Sequence, residues 1–131
     1  MGIPFIWRAQ MSKESKQNVQ HVIEQYELDI ERYRHGGQEL EQAKLLRALG
    51  ELYARTGELV KSRQLFTKAI MLYDKKSHHL GKAYALFEYG HVERESNRQV
   101  AKRYFVLAAN LFQLEGNQEW YERAKTEESQ L

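Results

Sequence analysis

LEQAKLLRALG (Leu40–Gly50) and LGKAYALFEYG (Leu80–Gly90) carry one residue series twice, 40 positions apart. Leu40, Ala43, Leu46 and Gly50 return as Leu80, Ala83, Leu86 and Gly90. A second series follows each. Phe66, Ala69 and Tyr73 in SRQLFTKAIMLY (Ser62–Tyr73) return 39 positions later as Phe105, Ala108 and Phe112 in AKRYFVLAANLF (Ala101–Phe112). Apolar and small residues recurring every three or four positions mark one face of an amphipathic helix. The one-residue slip falls between the series, where Thr56-Gly57-Glu58-Leu59 is answered by Ser96-Asn97-Arg98. A turn can lose a residue while both helices keep their register. Asn97, the non-glycine type best suited to left-handed backbone, is expected to adopt it there.

The register extends outward in both directions. Val22, Tyr26, Ile30 and Tyr33 lie 40 residues before Ser62, Phe66, Ile70 and Tyr73. The first helix therefore reads as the second half of a hairpin whose first half is missing or replaced by residues 1–11. Downstream, Trp120 stands in the Leu40/Leu80 position of a closing helix whose last turns are polar, as suits a terminal cap. Helices are expected over about 12–35, 38–56, 59–75, 78–96, 98–115 and 118–128. Ser12 is the expected first N-cap, and Gly36-Gly37, Gly57 and Gly116 are the expected turn residues. The division that follows is an apolar segment, 1–11, and one helical-repeat domain, 12–131.

Composition agrees with an all-α chain and narrows its chemistry. Of 131 residues one is proline, Pro4, so no ring interrupts a helix after it. There is no cysteine, which removes disulfides, Cys-ligated zinc, iron–sulfur clusters and thiol catalysis. The net charge of +2 comes from 20 basic and 18 acidic residues with the signs interspersed. Arg32, Arg34, Arg47, Arg55, Lys61, Arg63, Lys68, Lys75 and Lys76 are diluted by Glu24, Glu27, Glu31, Glu51 and Glu58, which argues for a solvated face against a nucleic-acid footprint. No run approaches the roughly 20 apolar residues of a membrane span, and no targeting signal is read at the start, so no membrane association and a cytoplasmic location are expected.

The repeats resemble the tetratricopeptide repeat. The first full unit offers Leu46, Leu49-Gly50, Tyr53, Gly57, Ser62, Phe66 and Ala69; the second offers Leu86, Tyr89-Gly90, Asn97, Ala101, Phe105 and Ala108. The proline that usually closes a unit is missing, Glu93 replaces an expected Tyr, and the period of 40 exceeds the common 34, as in the family's extended-helix subclass. HEAT repeats share the length, but their proline-kinked helix is excluded. The resemblance implies a right-handed α-solenoid of antiparallel hairpins, about two and a half repeats plus a capping helix. It also implies a non-catalytic module that binds a peptide or partner helix in its concave groove.

On that resemblance the groove positions are Lys44, Arg47, Glu51 and Arg55, then Tyr84, Phe87, His91 and Arg94. Aromatic anchors beside cations suit an acidic or C-terminal carboxylate ligand. The competing expectation is that Tyr84 and Phe87 pack on the terminal helix around Trp120. The asparagines of the family's chaperone-tail clamp are lacking, since Arg47, Glu51, Phe87 and His91 stand in those places. No cofactor is expected. His78 and His79 are neighbours that point about 100° apart on a helix, and His21, His35 and His91 have no ligand-type partner at i+4, so no metal site is read. No phosphate loop, nucleophile elbow or HExxH is present, so no enzyme is expected.

Phe5, Ile6 and Trp7, in the apolar run Ile3–Trp7, are expected either to fold back on the first helix as a cap or to contact another chain, helping form a homodimer or larger assembly. Three alternatives to the interaction module stand: a peptide-sensing regulatory domain like the bacterial quorum-peptide receptors, an RNA-associated helical repeat, and an oligomerisation or scaffold fragment of a longer solenoid.

Overall fold

The structure, a computed structural model, describes residues 13–131, with side chains from residue 15 onward. Among these residues there are six helices and no strand: α1 (Lys13–His35), α2 (Glu39–Arg55), α3 (Leu59–Lys75), α4 (His79–Glu93), α5 (Arg98–Leu114) and α6 (Gln118–Ser129). The expected Ser12 cap and the expectations on Phe5, Ile6 and Trp7 lie outside the described residues. The helices gather into two compact units, one ending at Leu72 and one running from Tyr73 to Leu131. Neighbouring helices pack on each other within each unit, α1 on α2 in the first and α4 on α5 and α5 on α6 in the second.

Four of the five turns use one device. The N–H three residues past the helix bonds back five positions, from Gln38 to Tyr33 O and from Glu58 to Tyr53 O at 2.9 Å, from His78 to Tyr73 O at 2.9 Å, and from Asn117 to Phe112 O at 2.8 Å. This closes the helix end only if the preceding residue is left-handed, and Gly37, Gly57, Ser77 and Gly116 have φ of 71°, 84°, 51° and 73°. Ser77 thus holds, at a cost, a conformation that glycine would take freely.

The fifth turn corrects the sequence expectation. Asn97 is extended (φ −152°, ψ 93°), and its side chain accepts from Val100 N–H as the N-cap of α5. Helix α4 stops at Glu93, three residues before the expected end, and Asn97 N–H bonds to Glu93 O at 2.7 Å. Helix α4 thus ends without a left-handed residue, its Glu93 carbonyl accepting directly from the N-cap of α5, and the turn is one position shorter than Thr56–Leu59.

The packing explains the small residues of the repeat. A Cβ at Gly50 would stand 3.0 Å from the Phe66 ring, and one at Gly90 would stand 2.8 Å from the Phe105 ring. Each glycine lets its helix sit directly on an aromatic of the next. Ser62, Phe66 and Ala69 in α3, and Ala101, Phe105, Ala108 and Phe112 in α5, are completely buried beneath this contact. The buried Ser62 hydroxyl donates to Gly50 O at 2.7 Å, tying α3 to α2. Gly81, which sequence reasoning left without a role, is the tightest position of all. A Cβ there would stand 2.2 Å from the Tyr73 ring and 2.7 Å from His78 Nδ1, the atom that caps α4 by accepting from Gly81 N–H.

Two substitutions should therefore move stability in opposite directions. Gly81→Ala is expected to lower the unfolding free energy by about 1–3 kcal/mol through overpacking, despite the better helix propensity of alanine. Ser77→Gly is expected to raise it by about 0.5 kcal/mol, the relief of left-handed strain less the added entropy of the unfolded chain. Urea titration followed by far-UV circular dichroism measures both; a stabilising Gly81→Ala or a destabilising Ser77→Gly contradicts the packing described.

Candidate functional site

Three features could carry function, and the structure treats the eight expected groove residues unequally. In the second unit, Tyr84 and Phe87 project from α4 onto α6. The Trp120 ring lies edge-on to both, with centroids 5.0 Å from Tyr84 and 5.2 Å from Phe87 at interplanar angles of 87° and 90°. Phe112 completes the nest at 5.2 Å from Tyr84 and 5.7 Å from Trp120, and Phe105 touches Phe87 at 5.5 Å. All but the tilted Phe112–Trp120 pair are edge-to-face, a favourable arrangement worth about 0.5–1.5 kcal/mol per pair beyond area burial. Phe87 is 9% exposed. Of the two expectations for these aromatics, the geometry is that of packing on the closing helix.

The remaining two residues of that quartet face the same helix. Arg94 ion-pairs with Glu127 of α6, and its other nitrogen reaches Gln130 Oε1 at 3.5 Å. His91 Nε2 lies 4.0 Å from Glu127 Oε1, its ring edge-on to Phe87 at 4.8 Å and to Phe105 at 5.1 Å. Both His91 ring nitrogens are buried without a hydrogen-bond partner. Burial drives the His91 pKa down to about 4, with the Arg94 charge adding to the fall and the Glu127 carboxylate opposing it. The ring is neutral at pH 7.

In the first unit the four charged residues of α2 form a stripe. Lys44, Arg47, Glu51 and Arg55 fall on one face at helical spacing, Lys44 exposed and the others half-buried. Lys44 pairs with Glu41 at 3.7 Å and Arg55 with Glu51 at 3.4 Å, so the stripe is a solvated, internally paired face.

The third feature was not found from sequence. A cleft of about 390 Å³ opens in the first unit, lined by Glu27 of α1, Leu49 and Tyr53 of α2, and Lys61, Gln64, Leu65 and Lys68 of α3. Lys61 Nζ sits 5.2 Å from the Tyr53 ring centroid, a cation–π contact. Burial raises the Tyr53 pKa, helped by the Glu27 and Glu58 charges and opposed by Lys61, so its hydroxyl stays a donor. Apolar Leu49, Leu65 and the Tyr53 ring are thus bordered by two ammonium groups and one carboxylate. The readable signal was the seven-residue spacing of Lys61 and Lys68 around Gln64 and Leu65, which places them on one helix face.

Among the described residues no group of three His, Asp or Glu side chains could hold a metal ion, and no helix is long and apolar enough to cross a membrane. His78 is a helix cap, and His79 is exposed beside it. No family model, curated protein or solved structure matches the chain.

The state of His91 makes a pH prediction. Its folded pKa lies below the unfolded value of 6.5, so the unfolded chain takes up the proton first as pH falls. The contribution is fully present above about pH 6.5 and is lost progressively down to about pH 4, with a total of up to about 3 kcal/mol. His91→Leu should flatten this acid limb, shrinking the drop in Tm between pH 7 and pH 4.5 relative to wild type. Parallel Tm profiles for the two proteins would show that His91 is not the buried neutral group described.

Proposed function

We propose that the chain is a short right-handed α-solenoid of tetratricopeptide type, a non-catalytic protein-interaction module that takes an acidic peptide or partner helix on its first unit. The observation that supports this reading is the cleft between Tyr53, Lys61 and Lys68. It is a concavity with apolar and aromatic walls and a cationic border, the combination that anchors a side chain and orients a carboxylate. The charged face of α2, with Lys44, Arg47, Glu51 and Arg55, belongs to the same unit and is the second surface through which charge could steer a partner. Tyr84, Phe87, His91 and Arg94 serve in this reading to hold α6, so a ligand does not draw on them while α6 is in place.

Partner capture from native lysate, with mass-spectrometric identification and then titration of the purified partner, tests the reading with two charge-reversal pairs. Lys61→Glu with Lys68→Glu is expected to weaken binding about tenfold or more without changing helicity, because the substituted groups are on the surface. Arg47→Glu with Arg55→Glu locates any contribution of the α2 face. Undiminished binding by both pairs contradicts an interaction through this unit. A bound nucleic acid with steeply salt-dependent affinity would replace the protein partner by the RNA alternative.

A further inference from the structure

The repeat register sets the cleft of the first unit beside a differently filled counterpart in the second. Leu49 and Leu65, two of its walls, return as Tyr89, 40 positions on in α4, and Tyr104, 39 positions on in α5. Those two rings are stacked, with centroids 4.5 Å apart and planes 30° from parallel, and Tyr89 is buried. In the second unit a pair of rings thus packs α4 on α5. In the first, leucines stand at both places, and a cleft of about 390 Å³ opens beside them. The border changes with the walls. Lys61, Lys68 and Tyr53 of the cleft return as Val100, Leu107 and Glu93, so the version without the stacked rings is the one with two ammonium groups and an aromatic wall.

We propose that this cleft takes an aromatic side chain of the partner peptide, seated against Leu49 and Leu65 in the place where the second unit carries its own rings. The proposal rests on the reading of the first unit as the surface for an acidic peptide, and it names the side chain that anchors that peptide. The volume lies within the roughly 300–1,000 Å³ of pockets that enclose a small ligand. A ring entering it meets leucine side chains from α2 and α3, the Tyr53 ring and the ammonium groups of α3, surroundings that favour a π-face over an aliphatic chain. Lys61 already lies 5.2 Å from the Tyr53 ring centroid, and its pairing with Glu58 at 3.7 Å is solvent-exposed and readily exchanged for a ligand carboxylate. Glu27 on the α1 side repels such a carboxylate, so the acidic neighbour of the anchoring ring falls on the α3 side.

Two acetylated and amidated pentapeptides provide the test, one with a central tryptophan and one with a central leucine, each with two aspartates on either side. They are titrated into the full chain carrying isotope-labelled leucine methyl groups and followed by NMR. The tryptophan peptide is expected to bind about threefold to tenfold more tightly than the leucine peptide, and its ring current to move the Leu49 and Leu65 methyl resonances. Leu65→Tyr restores, at a half-buried position, the ring that Tyr104 supplies in the second unit. It should keep the helicity of the chain and weaken the tryptophan peptide about tenfold or more, because the cleft is then filled. Lys61→Glu with Lys68→Glu should weaken both peptides. Equal affinities for the two peptides, both lost on charge reversal, overturn the aromatic anchor and leave the acidic-peptide reading standing. Binding of the tryptophan peptide with both leucine resonances unmoved, or undiminished by Leu65→Tyr, also overturns it. Absence of binding by either peptide overturns the anchor and the acidic-peptide reading together.

Discussion

The close approach of a glycine to an aromatic ring is the constraint on which the rest of this chain depends. Gly50 on Phe66 and Gly90 on Phe105 bring the helices of each hairpin to a separation that no Cβ could share without displacing a ring. Once that separation is set, the residues on either side must be small or must interlock. Ser62, Ala69, Ala101 and Ala108 are completely buried for this reason, and Ser62 uses its position to bond the facing backbone. The same rule recurs where the second unit begins, with Gly81 on Tyr73. Close packing of this kind leaves little room for a residue with other duties, so the hairpin interiors are structural and chemistry is confined to their outer faces.

The two units solve the problem of a terminal hairpin differently. In the second, α6 covers α4 and α5 with a nest of aromatic rings around Trp120, and Arg94 and Glu127 fix its far end with a charge pair. The aromatic residues of α4 are the means by which the last helix is held. In the first, α1 has a stripe of partly exposed apolar residues and a neighbouring cleft with a cationic border. A surface that is apolar in the floor and charged at the edge is the commoner form of a recognition site, and here it is made by three consecutive helices.

Much of this was legible in the residues. Periodicity locates the six helices of the described residues, with most ends within a residue, and the 40-residue register singles out Gly50, Gly90 and the buried small positions. What escaped was decided by groups distant in sequence. Gly81 looks idle until Tyr73 is seen against it, and His78 becomes a cap only because Gly81 brings its N–H within 2.9 Å. Asn97 can serve either as a left-handed turn residue or as an N-cap, and the early end of α4 selects the second. Tyr84 and Phe87 lie on the face next to the core stripe, and a single helix does not say which later helix will cover that face. Trp120, more than 30 residues on, supplies the answer. The cleft escaped because its lining comes from three helices, each contributing residues that look like ordinary surface.

The glycine–aromatic contact is tested most directly by a double-mutant cycle on Gly90→Ala and Phe105→Leu, read by urea unfolding. If the alanine methyl group meets the Phe105 ring, the leucine that removes the ring should relieve much of the damage, and the two losses should fall short of additivity by about 1 kcal/mol or more. Losses that add within about 0.3–0.5 kcal/mol would mean that the two positions do not touch, and the account of the hairpins would fail with them.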